Sequence, residues 1–184
     1  SFSKTLTHMD SLNKTELNLL VNTFKKLKKV PLILGLVGSP GSGKSTFINQ
    51  FLNYSTAAKK KKKVGMLLID PSSPIHGGSL LGDRVRLSDH FLKPEVFIRS
   101  ISNLGNVNGL NPHLDKYLML FSLYPFDVVI VESVGGGQAS TDLKAYVDKL
   151  ILIFDPHAGD EIQFLKSGVL DVADSVIISK ADLS

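Results

Sequence analysis

One stretch of eight residues limits what this chain can fold into more than any other. Gly38-Ser39-Pro40-Gly41-Ser42-Gly43-Lys44-Ser45 satisfies the pattern G-x-x-x-x-G-K-[ST] at every fixed position, and Thr46 continues it into a helical pattern. An apolar run, Val30 to Val37, precedes it, so the context is strand, tight turn, helix. Glycines at these spacings let successive backbone N–H groups turn inward and cradle phosphate oxygens, and the helix N-terminus adds its partial positive charge. In that geometry Lys44 neutralises the β- and γ-phosphates and the Ser45 hydroxyl ligates Mg²⁺. The loop implies a nucleoside triphosphate without choosing between ATP and GTP.

A phosphate loop of this kind needs a sheet behind it, and the rest of the sequence supplies one. Short apolar runs at Val64–Ile69, Val96–Ile98, Asp127–Val131, Leu150–Phe154 and Val176–Ile178 read as further strands. Helical spacing appears over 11–29, 45–57, 84–92, 112–124, 141–147 and 159–170. Strands apolar on both faces and alternating with helices predict an α/β fold, with a mostly parallel central sheet covered by helices on both faces. The expected organisation is an N-terminal helical segment over 1–30, followed by one nucleotide-binding domain over 31–184. In such sheets ligands bind beyond the C-terminal ends of the strands, and Asp70, Glu132 and Lys180 fall at such ends.

Charge and composition remove several alternatives. The chain of 184 residues has no cysteine, which excludes disulfide, iron–sulfur, thiol-nucleophile and Cys-ligated zinc chemistry within this stretch. The net charge of +4 is local. Residues 1–30 carry six lysines against Asp10 and Glu16, Lys59–Lys63 add five positive charges, and the remaining residues hold ten basic and fifteen acidic side chains. A mildly acidic body with two basic patches argues against a nucleic-acid-binding face on the main domain. No apolar run approaches the ~20 residues needed to span a bilayer, and Ser1-Phe2-Ser3-Lys4 opens no secretory signal pattern.

Three carboxylates are candidates for holding Mg²⁺ beside a phosphate chain: Asp70 in Asp70-Pro71-Ser72-Ser73-Pro74, Asp83 in Gly82-Asp83-Arg84, and Glu132 in Glu132-Ser133-Val134-Gly135. Gly135, three residues after Glu132, is placed to offer its amide to a γ-phosphate, with Gly136 and Gly137 allowing that segment to move. Late in the chain, Ser179-Lys180-Ala181-Asp182 has the form [NST]-K-x-D. A carboxylate at Asp182 accepts from guanine N1–H and the 2-amino group, while the aliphatic stem of Lys180 lies along the purine.

Taken together, these stretches resemble the ArgK/MeaB family of GTPases, the chaperones of methylmalonyl-CoA mutase, which belong to the SIMIBI class of P-loop GTPases. The resemblance rests on Gly38–Thr46, Asp70–Pro74, Gly77-Gly78-Ser79 with Leu81-Gly82-Asp83-Arg84, Val131–Gln138, Ala158-Gly159-Asp160-Glu161 with Gln163 and Lys166, and Ser179–Asp182. It implies Mg²⁺ positions at Ser45, Asp70, Asp83 and Glu132, the phosphate-loop lysine at Lys44, and guanine reading by Ser179, Lys180 and Asp182. Asp160 and Lys166 fall in a segment through which the partner mutase stimulates hydrolysis.

The implied function is a GTP-hydrolysing switch, slow without its partner, that gates adenosylcobalamin delivery to the mutase. The implied ligands are GTP, GDP and Mg²⁺. The implied compartment is the mitochondrial matrix in a eukaryote and the cytoplasm in a bacterium. The sequence ends at Ser184, soon after the guanine motif, and the family's C-terminal dimerisation region is expected outside it, with the full-length protein a homodimer. Four positions depart from the family pattern: Ser179 stands for Asn, Gly136 for Val, Ser140 for an acid and Ser100 for Pro. The alternative reading is a P-loop kinase acting on a transport protein or small metabolite.

Overall fold

The computed structural model describes Leu6, Thr15, Glu16, Leu19, Asn22 and residues 30–57, 61–70, 87–106, 109–133, 138–157 and 166–181. Six strands form one sheet: β1 (Leu32–Val37), β2 (Val64–Asp70), β3 (Val96–Ser102), β4 (Val128–Ser133), β5 (Lys149–Phe154) and β6 (Ser175–Ile178). Four α-helices are described: α1 (Lys44–Ala57), α2 (Leu114–Leu123), α3 (Gln138–Asp142) and α4 (Val169–Val172). The strand order is β3-β2-β4-β1-β5-β6, and every pairing is parallel.

Strand alternation divides the core into two layers. Leu36, Met66, Leu68, Ile130 and Ile153 point to one face, where Ile48 and Leu52 of α1 pack on them. Val37, Leu67, Ile69, Val129, Val131 and Leu152 point to the other, beneath Leu114, Leu118 and Phe121 of α2, Ala139 of α3 and Val169 of α4. Seven consecutive buried residues in β2 explain why its sequence reads as an unbroken apolar run.

The order also fixes where a ligand belongs. From β1 the chain crosses toward β2, whereas from β4 it crosses back over β1 toward β5. The direction of travel across the sheet therefore reverses between β1 and β4, and a crevice opens there at the strands' C-terminal ends.

Several boundaries differ from the sequence reading, for physical reasons. Strand β3 runs on to Ser102, past Arg99 and Ser100; it is an outer strand of the sheet, and its backbone pairing with β2 continues through both polar residues. The helix expected over 84–92 is, within its described part, only a 3₁₀ turn at Ser88–His90. That turn is tied sideways to α1: His90 Nε2 donates to Asn49 Oδ1 at 3.1 Å, and Lys93 Nζ donates to Asn53 Oδ1 at 3.0 Å. The expected 141–147 helix is split into α3 and a 3₁₀ turn, Leu143–Tyr146. Of 11–29 and 159–170 only scattered positions and α4 are described; Thr15, Glu16, Leu19 and Asn22 are helical.

Candidate functional site

The site is built on the turn from β1 into α1. Gly38 leaves the strand so close to β5 that a Cβ there would lie 2.4 Å from the Ile153 carbonyl oxygen and 2.6 Å from Ser42 Oγ. Only glycine fits. Gly43 takes φ +95°, a left-handed conformation that glycine adopts without strain. The Ser42 N–H donates to the Ser39 carbonyl at 3.2 Å, and the Phe47 N–H to the Gly43 carbonyl at 2.9 Å, which starts α1. The Lys44 side chain curls back over the loop, its Nζ donating to the Gly38 and Ser39 carbonyls at 2.8 Å each. Buried to 9% exposure, it is an ammonium held against two backbone carbonyls. Ser42 Oγ is buried with no hydrogen-bond partner among the described residues, an open donor inside the loop. Ser45 is half-buried, while Pro40, Gly41 and Thr46 lie at the surface.

Register brings two of the carboxylate candidates to the α1 side of the sheet. Glu132 lies opposite Leu36 of β1 and Leu68 of β2, and Asp70 is two residues beyond Leu68 on the same face. Standard strand spacings put their Cα atoms about 8 Å apart. Asp70 is 1% exposed and Glu132 6%. Glu132 lies at the strand end expected from the sequence, the second-to-last residue of β4, which extends to Ser133. Two buried carboxylates with a serine hydroxyl are hard oxygen donors suited to Mg²⁺, and the glycine-lined cradle with its open Ser42 hydroxyl suits a phosphate chain. Asp83, Gly135, Asp160 and Asp182 lie outside the described residues. Lys166 lies exposed in a turn ahead of α4.

The end of β6 meets the phosphate loop directly. A Cβ at Gly43 would lie 3.3 Å from Ser179 Cβ. The Ser179 N–H and Oγ both donate to the Phe154 carbonyl, at 2.8 and 3.2 Å. Next to it, Lys180 Nζ donates to Asp155 Oδ2 at 2.6 Å, and Asp155 Oδ1 accepts the His157 N–H at 3.0 Å. The Lys180 ammonium, then the His157 amide, hold the Asp155 carboxyl below the usual carboxylate range. Asp155 was missed in the sequence because Phe154-Asp155-Pro156 matches no motif; its only signal is an acid directly after an apolar strand.

Residues 4–184 match the model of a protein family described as methylmalonyl Co-A mutase-associated GTPase MeaB. The chain is similar to GTPase ArgK of Escherichia coli, 38% identical over 151 residues, which cover 82% of this chain and 45% of that protein. It is similar to the mitochondrial methylmalonic aciduria type A homolog of Caenorhabditis elegans, 35% identical over 161 residues, covering 86% of this chain and 40% of that one. Among solved structures, that of a LAO/AO transport system kinase matches with a TM-score of 0.57 at 22% identity, covering 95% of this chain and 55% of the other. The chain thus spans about half the length of the curated relatives it matches.

Proposed function

The chain belongs to the MeaB family of methylmalonyl-CoA mutase-associated GTPases, and from that premise we propose that it binds GTP and GDP with Mg²⁺ and hydrolyses GTP as a chaperone of methylmalonyl-CoA mutase. In this role it gates adenosylcobalamin delivery to the mutase and protects it. The observation that carries the nucleotide part is the contact between the two loops: Ser179, which opens the base-reading motif, packs against Gly43 of the phosphate loop. One guanosine nucleotide spans that junction, phosphates on one side and base on the other.

On this reading the backbone amides from Gly38 to Ser45 wrap the phosphates, with Ser39, Pro40, Gly41, Ser42 and Thr46 shaping the cradle. Lys44 exchanges the two neutral carbonyls it now touches for charged phosphate oxygens, a stronger pairing. Ser45, Asp70, Asp83 and Glu132 hold Mg²⁺, which neutralises charge on the transferring phosphoryl group when bound. The Gly135 amide reports on the γ-phosphate, and Asp160 and Lys166 respond to the partner. Ser179, Lys180 and Asp182 select guanine. The partner assignment is supported by the family's description and by the name of the C. elegans relative. The mitochondrial matrix is proposed as its compartment in a eukaryote, the cytoplasm in a bacterium, and a homodimer as the full-length form. Among the described residues no helix is long and apolar enough to cross a membrane.

The test is calorimetric titration of the chain with GTP, GDP and ATP, repeated with Asp182→Asn. GTP and GDP bind in preference to ATP, and the variant loses that preference; equal GTP and ATP affinity in the unaltered chain refutes guanine reading. Labelled GTP then separates hydrolysis from phosphotransfer: label released as inorganic phosphate supports the proposal, whereas label appearing on an acceptor supports a kinase.

A further inference from the structure

Asp155 combines three properties. It is 1% exposed, yet it sits at the ligand-facing end of the sheet, directly after β5. Both its oxygens are committed, Oδ2 to Lys180 Nζ at 2.6 Å and Oδ1 to the His157 N–H at 3.0 Å, so the carboxylate cannot rotate without losing one of them. Its cationic partner, Lys180, has a backbone φ of +53°, left-handed territory for a residue with a Cβ. A non-glycine residue keeps such a conformation only where its surroundings over-determine it, and the ion pair to a fixed, buried carboxylate is a restraint of that kind.

The neighbouring residue makes this restraint matter more. Ser179 is short: its hydroxyl reaches no farther than the Phe154 carbonyl, the same acceptor its own N–H uses. The loop after β6 is therefore tied to β5 by one serine and by the Asp155–Lys180 pair. With its ammonium anchored at Asp155, the Lys180 stem is held as a fixed apolar shelf, and its side chain remains 43% exposed for a planar ring to lie against. An unanchored lysine would have to surrender rotamer freedom on binding.

We infer that Asp155 is a positioning residue for base recognition: through Lys180 it pre-orders the shelf on which the purine lies, and so sets guanine-nucleotide affinity. This rests on the guanine-binding reading proposed above. Asp155 itself does not touch the nucleotide.

The experiment is a double-mutant cycle on the full chain with Asp155→Asn, Lys180→Met and the pair. GDP and ADP affinities are measured by calorimetry, and melting temperatures in parallel. Asp155→Asn keeps the shape and the His157 contact while removing the charge. It is expected to weaken GDP binding about tenfold, in keeping with a charge-assisted hydrogen bond. In the Lys180→Met background the same substitution is expected to change GDP binding by less than about twofold.

A merely structural Asp155 would instead weaken binding equally in both backgrounds, in step with a fall in melting temperature, and that result overturns the inference. Unchanged GDP affinity in Asp155→Asn overturns it too. Should Asp155→Asn fail to fold, Asp155→Ser takes its place in the same cycle, read by the same outcomes. A wild-type chain with no preference for GDP over ADP removes the guanine reading and this inference together. A wild-type preference for GDP with GDP affinity undiminished in Asp155→Asn removes only this one.

Discussion

The two ends of the central sheet hold carboxylates in different settings. At the N-terminal end, Asp127, Asp148 and Asp174 each stand immediately before a strand, β4, β5 and β6. Each accepts a backbone N–H from a neighbouring strand or its lead-in: Asp127 from Lys63 at 2.9 Å, Asp148 from Ile33 and Asp174 from Leu150, at 2.7 Å each. They are fasteners that set register where a new strand enters. At the C-terminal end, Asp70, Glu132 and Asp155 are buried, close to the phosphate and base loops. A carboxylate beside water with a backbone donor stabilises locally at little cost, whereas a buried one costs desolvation and is retained where a cation or a cationic side chain uses it. Position along the strand, more than residue type, separates the strand-entry carboxylates from the buried ones here.

Loss of Lys44 is expected to have the largest effect. Lys44→Ala is expected to cut GTP hydrolysis on the order of 10²–10³-fold, as for loss of one preorganised charge-stabilising donor, measured by phosphate release at saturating GTP. Next comes Glu132→Gln, which removes one of two buried carboxylates on the α1 face. We expect it to abolish Mg²⁺-dependent tightening of GTP binding in calorimetry. A fastener substitution predicts the reverse pattern, stability lost with nucleotide binding intact.

Asp174 sharpens that reverse pattern through pH. Its bonds to Lys144 and to the Leu150 N–H hold its carboxyl down at about 2, from 3.8. A carboxyl whose folded value is depressed stabilises the fold above its unfolded value and loses that contribution as pH falls toward the folded one. Asp174→Asn should therefore flatten the stability–pH curve between 3.8 and about 2, followed by urea unfolding, and leave GTP affinity at neutral pH unchanged. The smallest effect is expected at exposed Asp148: Asp148→Ala should cost about 1 kcal/mol, one backbone hydrogen bond, read as a small fall in melting temperature.

What the sequence revealed follows the same division. The phosphate loop was legible because its chemistry is contiguous: eight residues carry the turn, the cradle and the helix start. Strands β1, β2, β4 and β5 were legible because each carries an apolar run, buried nearly throughout in β2 and β4 and partly in β1 and β5. Strand β3 was cut short at Ile98, because Arg99 and Ser100 break that run although hydrogen bonding to β2 continues as far as Ser102. The fasteners were invisible as such, since an aspartate before a strand looks like any loop or cap residue until its partner, 24 to 115 positions away, is folded beside it. Asp155 was hidden for the same reason, its lysine lying 25 residues on.

The C-terminal end of this sheet is proposed to hold a guanosine triphosphate with Mg²⁺. The most direct measurement is a crystal structure of the chain grown with a non-hydrolysable GTP analogue and Mg²⁺. The account predicts phosphate density inside the Gly38–Ser45 loop, with the Lys44 ammonium moved off the Gly38 and Ser39 carbonyls onto it. It also predicts a cation beside Ser45 on the Asp70 and Glu132 face, and the base against the Lys180 stem. Density absent from that loop, with Lys44 still closed over it, would contradict the account.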